Sequence, residues 1–187
     1  FNSAYEFEKK GLAITPVKFG ISFTTSFLNQ AGALVNIYKD GTILVNHGGT
    51  EMGQGLFVKI AQIVAEAFRV DIETVKITAT DTGKVPNTSA TAASSGTDLN
   101  GMAAADACRK IKARLIEFAV ERWQVEAGDV DFLPGRVRIG NTEIPFAELI
   151  GEAYRARVPL SATAGVAEVG KEDTAESVLG RADAEMY

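Results

Sequence analysis

The sequence predicts an α+β domain in which a mixed or antiparallel sheet packs with two longer helices and a short one. Two observations predict it. Strand-like and helix-like periodicities alternate along the chain, and a Lys39-Asp40-Gly41 turn joins two strand-like runs as a hairpin. The length of 187 residues, of which 46% are hydrophobic and 23% charged, is sufficient for one domain with a core.

The first half of the chain contains strand-like runs around one helix-like run. Residues 33–38 and 42–46 are the hairpin strands, and residues 19–23 and 75–79 are further short strands. Between them, apolar residues recur at helical spacing from about Leu56 onward, namely at Phe57, Ile60, Val64 and Phe68. We expect this apolar face to pack against the sheet.

The second half is predicted to be richer in helix. A long helix over residues 98–123 carries an apolar stripe at steps of four and three residues, formed by Ala104, Cys108, Ile111, Leu115 and Phe118. A hairpin follows, with strands at residues 129–132 and 136–139 around Pro134, and then a short helix at residues 147–155.

Charge and composition argue against several classes of protein. A net charge of −5 without a cluster of lysine or arginine argues against nucleic acid and basic membrane-surface binding. No apolar run approaches the length of a membrane span. The single cysteine, Cys108, is expected to be a small buried hydrophobe, and with the single histidine, His47, it provides too few ligands for a zinc site. A reducing, cytoplasmic setting without a signal peptide fits best.

Residues 47–55 are the most informative local feature, because four glycines stand between a strand and a helix. Glycines allow close backbone approach, and the N–H groups of a helix N-terminus suit an anionic or oxygen-rich ligand. Gln54 can both donate and accept hydrogen bonds. The alternative is a tight turn in which the glycines serve geometry alone. Glu51 is assigned to turn structure and helix-start charge rather than to general-base catalysis.

A second loop, over residues 81–97, is long and made of small and hydroxyl residues. Loops of this length are usually functional or disordered, and this one lacks the charge of a disordered segment. Its small side chains permit close approach to a ligand, and its hydroxyl groups can donate to one. The alternative is a flexible surface loop.

Several blocks in order form a pattern more specific than one glycine motif: residues 15–24, 28–34, 47–56, 85–96, 153–155 and 160–163. Over about residues 9–164 the chain resembles the molybdenum-binding subunit of xanthine dehydrogenase, in the xanthine oxidase family. The resemblance implies part of a molybdopterin-binding domain in a large molybdo-flavoenzyme. Such enzymes hydroxylate a purine carbon and pass electrons through iron–sulfur clusters to FAD and NAD.

The resemblance also implies roles for individual residues. Phe23 is expected to pack on the purine ring, and Thr24 to hydrogen-bond to it. The residues implied to bind the molybdopterin cofactor are Met52, Gly53, Gln54, Ala93, Ser94, Ser95, Gly96 and Thr97. The implied partners are the rest of the molybdenum subunit and a FAD/iron–sulfur subunit.

The catalytic glutamate of the family lies far downstream of this segment, and its purine-binding arginine and glutamate lie upstream. The FAD and iron–sulfur segments are also outside it. We therefore assign no catalytic residue and expect the chain to contain about half of a molybdenum site, without turnover of purine.

The last residues depart from the family. Residues 165–187 resemble the end of a diguanylate cyclase (GGDEF-type) domain, with a strand at residues 164–169, Asp173 as a helix N-cap, and a stripe formed by Val178, Ala182 and Met186. This pattern divides the chain at residues 1–164 and 165–187, and no cyclase activity is expected. The alternative to a hydroxylase fragment is a non-catalytic, chimeric or engineered module that keeps the fold.

Overall fold

The computed structural model describes residues 1–17, 20–81, 83 and 88–167. Among these residues, the strands are β1 (Gln30–Ile37), β2 (Ile43–His47), β3 (Val75–Ile77), β4 (Val130–Leu133), β5 (Arg136–Ile139), β6 (Thr142–Pro145) and β7 (Ser161–Ala167). The α-helices are α1 (Leu56–Phe68), α2 (Gly96–Trp123) and α3 (Phe146–Arg155). Short 3₁₀ turns lie at Ser26–Leu28, Ile72–Thr74 and Ala127–Asp129.

The strands form two sheets. The larger has the order β3-β2-β1-β7, with β1 antiparallel to both β2 and β7, and β2 parallel to β3. The smaller is an antiparallel meander of β4, β5 and β6. This arrangement confirms the predicted α+β class, the mixed sheet, and the two longer helices with a short one.

The main core lies between the larger sheet and helices α1 and α2. Val35 and Val45, opposite each other on β1 and β2, are fully buried on the face that the helices cover. Helix α2 presents small, fully buried residues to this layer, namely Ala103, Ala104 and Ala107. Because small side chains let the helix axis approach closely, α2 packs against α1, β1 and β7 together.

The smaller sheet and α3 join the core through aromatic side chains. The ring of Phe146, the first residue of α3, lies 5.8 Å from the Phe68 ring and 6.4 Å from the Phe132 ring between centroids. Lys112 of α2 donates to the Ala67 carbonyl oxygen at 3.1 Å and lies 4.5 Å from the centroid of the Phe132 ring. The second sheet is therefore anchored at the C-terminal end of α1 and the middle of α2.

Local chemistry explains where several elements begin and end. The Asp40 carboxylate accepts from the backbone N–H and the hydroxyl of Thr42, and Gly41 adopts a φ of 88°, which closes the predicted hairpin. Helix α1 begins directly after Gly55, whose φ is 77°, and ends at Arg69 in the left-handed conformation.

The predicted strand at residues 19–23 is wrong for residues 20–23, and Phe19 lies outside the described residues. Ser22 has a φ of 72°, which breaks an extended run. The Phe23 backbone is held instead by Asn29, whose side chain accepts from the Phe23 N–H and donates to the Phe23 carbonyl oxygen, both at 2.8 Å. Strand β6 was not predicted from the sequence.

The C-terminal division predicted after residue 164 stays a prediction. Strand β7 continues through that position to Ala167 and pairs with β1 over its whole length. The predicted helix that starts at Asp173 lies outside the described residues. Within the described part of the chain, no helix combines the length and apolar character needed to cross a membrane.

Replacing Leu115 by Ala tests the core. Leu115 lies in the middle of α2 with no exposed surface, so the substitution should lower the free energy of unfolding by about 2–5 kcal/mol. Urea denaturation followed by circular dichroism measures this loss. The matched control is Leu12→Ala, because Leu12 is 93% exposed and should change stability by less than about 0.5 kcal/mol. Equal losses in the two variants would contradict this packing.

Candidate functional site

A groove of about 370 Å³ opens between two loops. The first is the glycine loop, residues 48–55, which joins β2 to α1; the second is the hydroxyl loop, residues 88–95, which leads into α2. The groove is lined by Met52, Gln54, Leu56, Lys59, Thr91, Ala92, Ala93, Ser94, Gly96 and Thr97. Two loops that are distant in sequence, and that were each predicted separately to bind a ligand, therefore face each other across one groove.

Most of the predicted cofactor-binding residues line this groove: Met52, Gln54, Ala93, Ser94, Gly96 and Thr97. Gly53 and Ser95 do not line it, although each lies between residues that do, and Ser95 is buried. A larger groove of about 930 Å³, around Trp123 and Gly140 at the other end of α2, contains none of the predicted residues. The smaller groove is the candidate site because the sequence motifs converge there.

The glycine loop is closed by the carboxylate of Glu51. Its Oε1 accepts from the N–H groups of Gly53 at 2.8 Å and Gly55 at 3.0 Å, and its Oε2 accepts from the Phe57 N–H at 3.0 Å. These bonds, the one to Phe57 above all, hold the pKa of Glu51 below its usual range. The assignment of Glu51 to turn structure is confirmed. The expectation that the α1 N-terminus offers free N–H groups is wrong for those that Glu51 binds.

Gln54 is folded back onto the same loop. Its Oε1 accepts from the Met52 N–H at 2.6 Å, and its Nε2 donates to the Thr50 carbonyl oxygen at 2.8 Å. Gln54 lines the groove while it satisfies two backbone groups of its own loop. A ligand that bonds to this amide would share it with, or take it from, those groups.

The hydroxyl loop has a strained backbone. Ala93 and Ser94 are consecutive non-glycine residues with φ of 53° and 57°, a conformation that a side chain disfavours. The Thr91 hydroxyl accepts from the Thr50 N–H at 2.8 Å and so ties this loop to the glycine loop. The Ser95 hydroxyl donates to the Ala92 carbonyl oxygen at 3.2 Å instead of capping α2.

The predicted substrate-side residues lie beside the groove rather than in its lining. Phe23 is half-buried and Thr24 is exposed. Their segment is joined to the hydroxyl loop by one backbone bond, from the Ser22 N–H to the Ala93 carbonyl oxygen at 2.8 Å. Phe23 thus directly follows Ser22, the residue that bonds to the predicted cofactor loop.

His47 is a buried neutral residue beneath the glycine loop. It is 1% exposed, and burial lowers its pKa from the ordinary 6.5 to about 4. Its Nδ1 accepts from the Gly49 N–H at 3.0 Å, and its ring packs edge-on against Phe57 with 5.3 Å between centroids. Its Nε2 has no hydrogen-bond partner among the described residues, as is also true of Asn100 Oδ1 and Thr88 Oγ1. His47 therefore supports the loop and is not a proton donor at neutral pH.

Sequence reasoning missed four lining residues: Leu56, Lys59, Thr91 and Ala92. Lys59 follows the glycine motif by one helical turn on α1, and an exposed lysine at such a position carries no distinctive sequence pattern. In the described ranges, no group of three or more His, Cys, Asp or Glu residues could hold a metal ion. The Cys108 thiol is buried, as predicted, and burial raises its pKa to about 12, which leaves it unreactive.

Comparison with known proteins identifies relatives of this fold and sequence. The model of the family described as molybdopterin cofactor-binding domain matches residues 1–181. Xanthine dehydrogenase of Calliphora vicina is 46% identical over 163 residues, and xanthine dehydrogenase 1 of Arabidopsis thaliana is 48% identical over 162 residues. Each alignment covers 87% of this chain, and the chain spans 11% and 10% of the two relatives respectively.

A solved structure shows the same fold. Quinoline 2-oxidoreductase from Pseudomonas putida 86 superposes with a TM-score of 0.63 at 26% identity, covering 74% of this chain and 19% of that one. The family match continues through most of residues 165–187, and none of these matches supports the resemblance of that segment to a diguanylate cyclase. A chimeric module is accordingly not favoured.

Acid unfolding tests the burial of His47, the single histidine of the chain. Because its folded pKa of about 4 lies below the ordinary 6.5, the unfolded state binds the proton more readily between these values. The contribution of neutral His47 to stability is thus complete above pH 6.5 and is lost as the pH falls toward 4, a loss of about 3 kcal/mol. Urea unfolding at pH 7, 5.5 and 4 measures it.

The comparison variant is His47→Asn, whose side-chain oxygen can still accept from the Gly49 N–H. The difference in unfolding free energy between the two proteins should shrink by about 3 kcal/mol from pH 7 to pH 4. An imidazole NMR signal that titrates near pH 6.5 in the folded protein would show that His47 is solvated and would contradict this assignment.

Proposed function

The chain belongs to the molybdopterin cofactor-binding domain family, and we propose that it forms one wall of the cofactor and substrate site of a xanthine dehydrogenase-like molybdenum hydroxylase. The observation that carries the proposal is the groove between the glycine loop and the hydroxyl loop. Its two walls are the two loops that the sequence marked separately as candidates for ligand binding, and that the family resemblance assigns to one cofactor. Its volume of about 370 Å³ lies in the range of small-molecule sites.

The chemistry of the lining fits a pterin. The groove offers the amide of Gln54, the hydroxyl of Thr97 and the backbone of small residues, and a flat heterocycle with many nitrogen and oxygen atoms needs such partners. Gly53 and Gly55 have positive φ and open space where a side chain would lie, so the loop backbone is accessible on that side. When bound, a molybdenum–pterin centre supplies the redox chemistry of hydroxylation.

The proposed role of the 22–24 segment is to hold the substrate. Phe23 gives an aromatic face for a purine ring, and the exposed Thr24 hydroxyl can hydrogen-bond to it. The Asn29 side chain fixes the Phe23 backbone through two bonds of 2.8 Å, so the fold sets the point from which the ring extends. The bond from the Ser22 N–H to the Ala93 carbonyl oxygen keeps that segment in register with the cofactor wall.

This wall contributes binding and orientation rather than proton transfer. Glu51 is the carboxylate nearest in sequence to the groove-lining residues of the glycine loop, and its oxygens already accept three backbone N–H groups. Those bonds lower its pKa and make it a weaker base. No acidic side chain belongs to the groove lining. The general base of the proposed reaction therefore comes from another part of the enzyme.

The remaining parts of the proposal concern the whole enzyme. The chain aligns with about a tenth of the length of its xanthine dehydrogenase relatives. We propose a purine substrate, FAD and iron–sulfur clusters on other segments or a partner subunit, and the rest of the molybdenum subunit as the direct neighbour. A cytoplasmic location and a role in purine catabolism accompany this proposal. A separate origin of residues 165–187 remains a proposal that rests on the sequence pattern alone.

Gly96→Leu tests the groove as the cofactor site. A β-carbon at Gly96 would meet Thr91 Cγ2 at 3.6 Å and the Leu56 side chain at 3.7 Å, which are ordinary contacts, so the helix should tolerate the change. The larger side chain would fill space between groove-lining residues and weaken molybdopterin binding by about ten-fold or more. Anaerobic equilibrium dialysis of molybdopterin against the purified chain measures binding.

The matched control is Gly151→Leu, a substitution on α3 where an added β-carbon would have nothing within 4 Å and which has no part in the groove. It should bind as the unsubstituted chain does. The same affinity in the Gly96 variant, or none in the unsubstituted chain, would reject the groove as the site.

A second test concerns turnover. The 187-residue chain, loaded with molybdenum cofactor and given xanthine and an electron acceptor, should produce no urate, because its wall of the site holds no free base. Absorbance of urate, calibrated with an intact xanthine dehydrogenase, measures this. Urate above the background of free cofactor would show that the chain carries catalytic groups that the groove lacks.

A further inference from the structure

We propose that Lys59 binds the phosphate group of the pterin cofactor and thereby gives this wall its preference for the phosphorylated ligand. The inference rests on the proposed function, since it assigns a new residue to the same groove. Lys59 is the one charged side chain among the described residues that line the groove. The other lining residues are neutral, and molybdopterin carries a terminal phosphomonoester that needs a cationic or strongly donating partner.

The ammonium group of Lys59 is available for such a ligand. Lys59 is exposed, and among the described residues it has no ion-pair or side-chain hydrogen-bond partner. The Glu51 carboxylate of the glycine loop keeps its negative charge, but its oxygens accept from the N–H groups of Gly53, Gly55 and Phe57 and form no ion pair with Lys59. The Lys59 ammonium group therefore has no ion-pair partner within the part of the chain that the structure describes.

Helix electrostatics disfavour the position of Lys59, and the Glu51 carboxylate that accepts from the Phe57 N–H offsets part of the positive charge at this helix end. Lys59 lies in the first turn of α1, and that turn holds no acidic residue. A cation at the positive end of a helix is destabilising by a few tenths to about 1 kcal/mol. A phosphate bound beside Lys59 would attract both the ammonium group and the N-terminus of the helix.

The start of α2, on the other side of the groove, offers hydrogen-bond donors. Gly96 and Thr97 line the groove from the start of α2, whose first turn Ser95 does not cap with its side chain. Thr97 adds a hydroxyl group, and the acidic residue of that turn, Asp98, is not part of the lining. A phosphate between Lys59 and Thr97 would thus meet donors from both walls and no carboxylate of the lining.

The experiment compares two forms of the ligand in one protein. Anaerobic equilibrium dialysis is carried out with molybdopterin and with molybdopterin whose phosphate has been removed by a phosphatase. The unsubstituted chain should bind the phosphorylated form about ten-fold more tightly, and Lys59→Gln should reduce that ratio to about two-fold or less. Lys59→Arg should keep most of the preference, and raised salt should lower it in the unsubstituted chain.

Lys76→Gln is the matched control, because Lys76 is an exposed lysine on β3 outside the groove lining. It should leave the ratio unchanged. If the unsubstituted chain binds both forms equally, or if Lys59→Gln keeps the full ratio, the role of Lys59 is overturned while the cofactor site stands. If neither form binds, both this inference and the proposed function fail.

Discussion

Two glycines at the end of β2 are the constraint on which the groove depends. A β-carbon at Gly48 would lie 2.2 Å from Thr88 Cγ2, and one at Gly49 would lie 2.5 Å from Leu56 Cδ2 and 3.0 Å from Asn100 Nδ2. No real β-carbon occupies such positions, so the backbone itself fills the space between the hydroxyl loop, α1 and α2. This close approach places both walls of the groove at the C-terminal end of β2. The sheet then holds that strand end in place.

Several backbone groups of the glycine loop are paired with side chains of the chain itself. Glu51 and Gln54 bond to the backbone of the glycine loop, and the Thr80 hydroxyl donates to the Gly49 carbonyl oxygen at 2.8 Å. The bond from the Thr50 N–H to the Thr91 hydroxyl links the two walls. These contacts restrain the loop shape before any ligand arrives. The wall is therefore preorganised, and Lys59, the charged residue of the groove lining, has no ion-pair partner among the described residues.

Much of the fold could be predicted because it follows from periodicity and turn chemistry. The Asp40-Gly41 hairpin, the start of α1 at Leu56 and the buried stripe of α2 are local patterns, and the structure confirms them, except that Phe118 of the predicted stripe is only half-buried. The pairing of β7 with β1 could not be predicted, because it joins residues more than a hundred positions apart through packing. At the site, the two loops were recognised separately from the sequence, whereas their meeting at one groove depends on the tertiary fold. Lys59 was missed because an exposed lysine on a helix has no distinctive pattern; only its place in the groove distinguishes it.

Three of the six described non-glycine residues with positive φ lie where the segments meet. Ser22, Ala93 and Ser94 are non-glycine residues in the left-handed region, and the first two share a hydrogen bond of 2.8 Å. Each such residue costs about 1–2 kcal/mol, so the surrounding contacts must hold the conformation in place. Glycine would adopt these angles without strain but would leave the loop freer before folding and binding. Side chains at these positions therefore lower stability but restrict the backbone. Such restriction suits a wall that is proposed to hold a pterin and a purine in fixed relative positions.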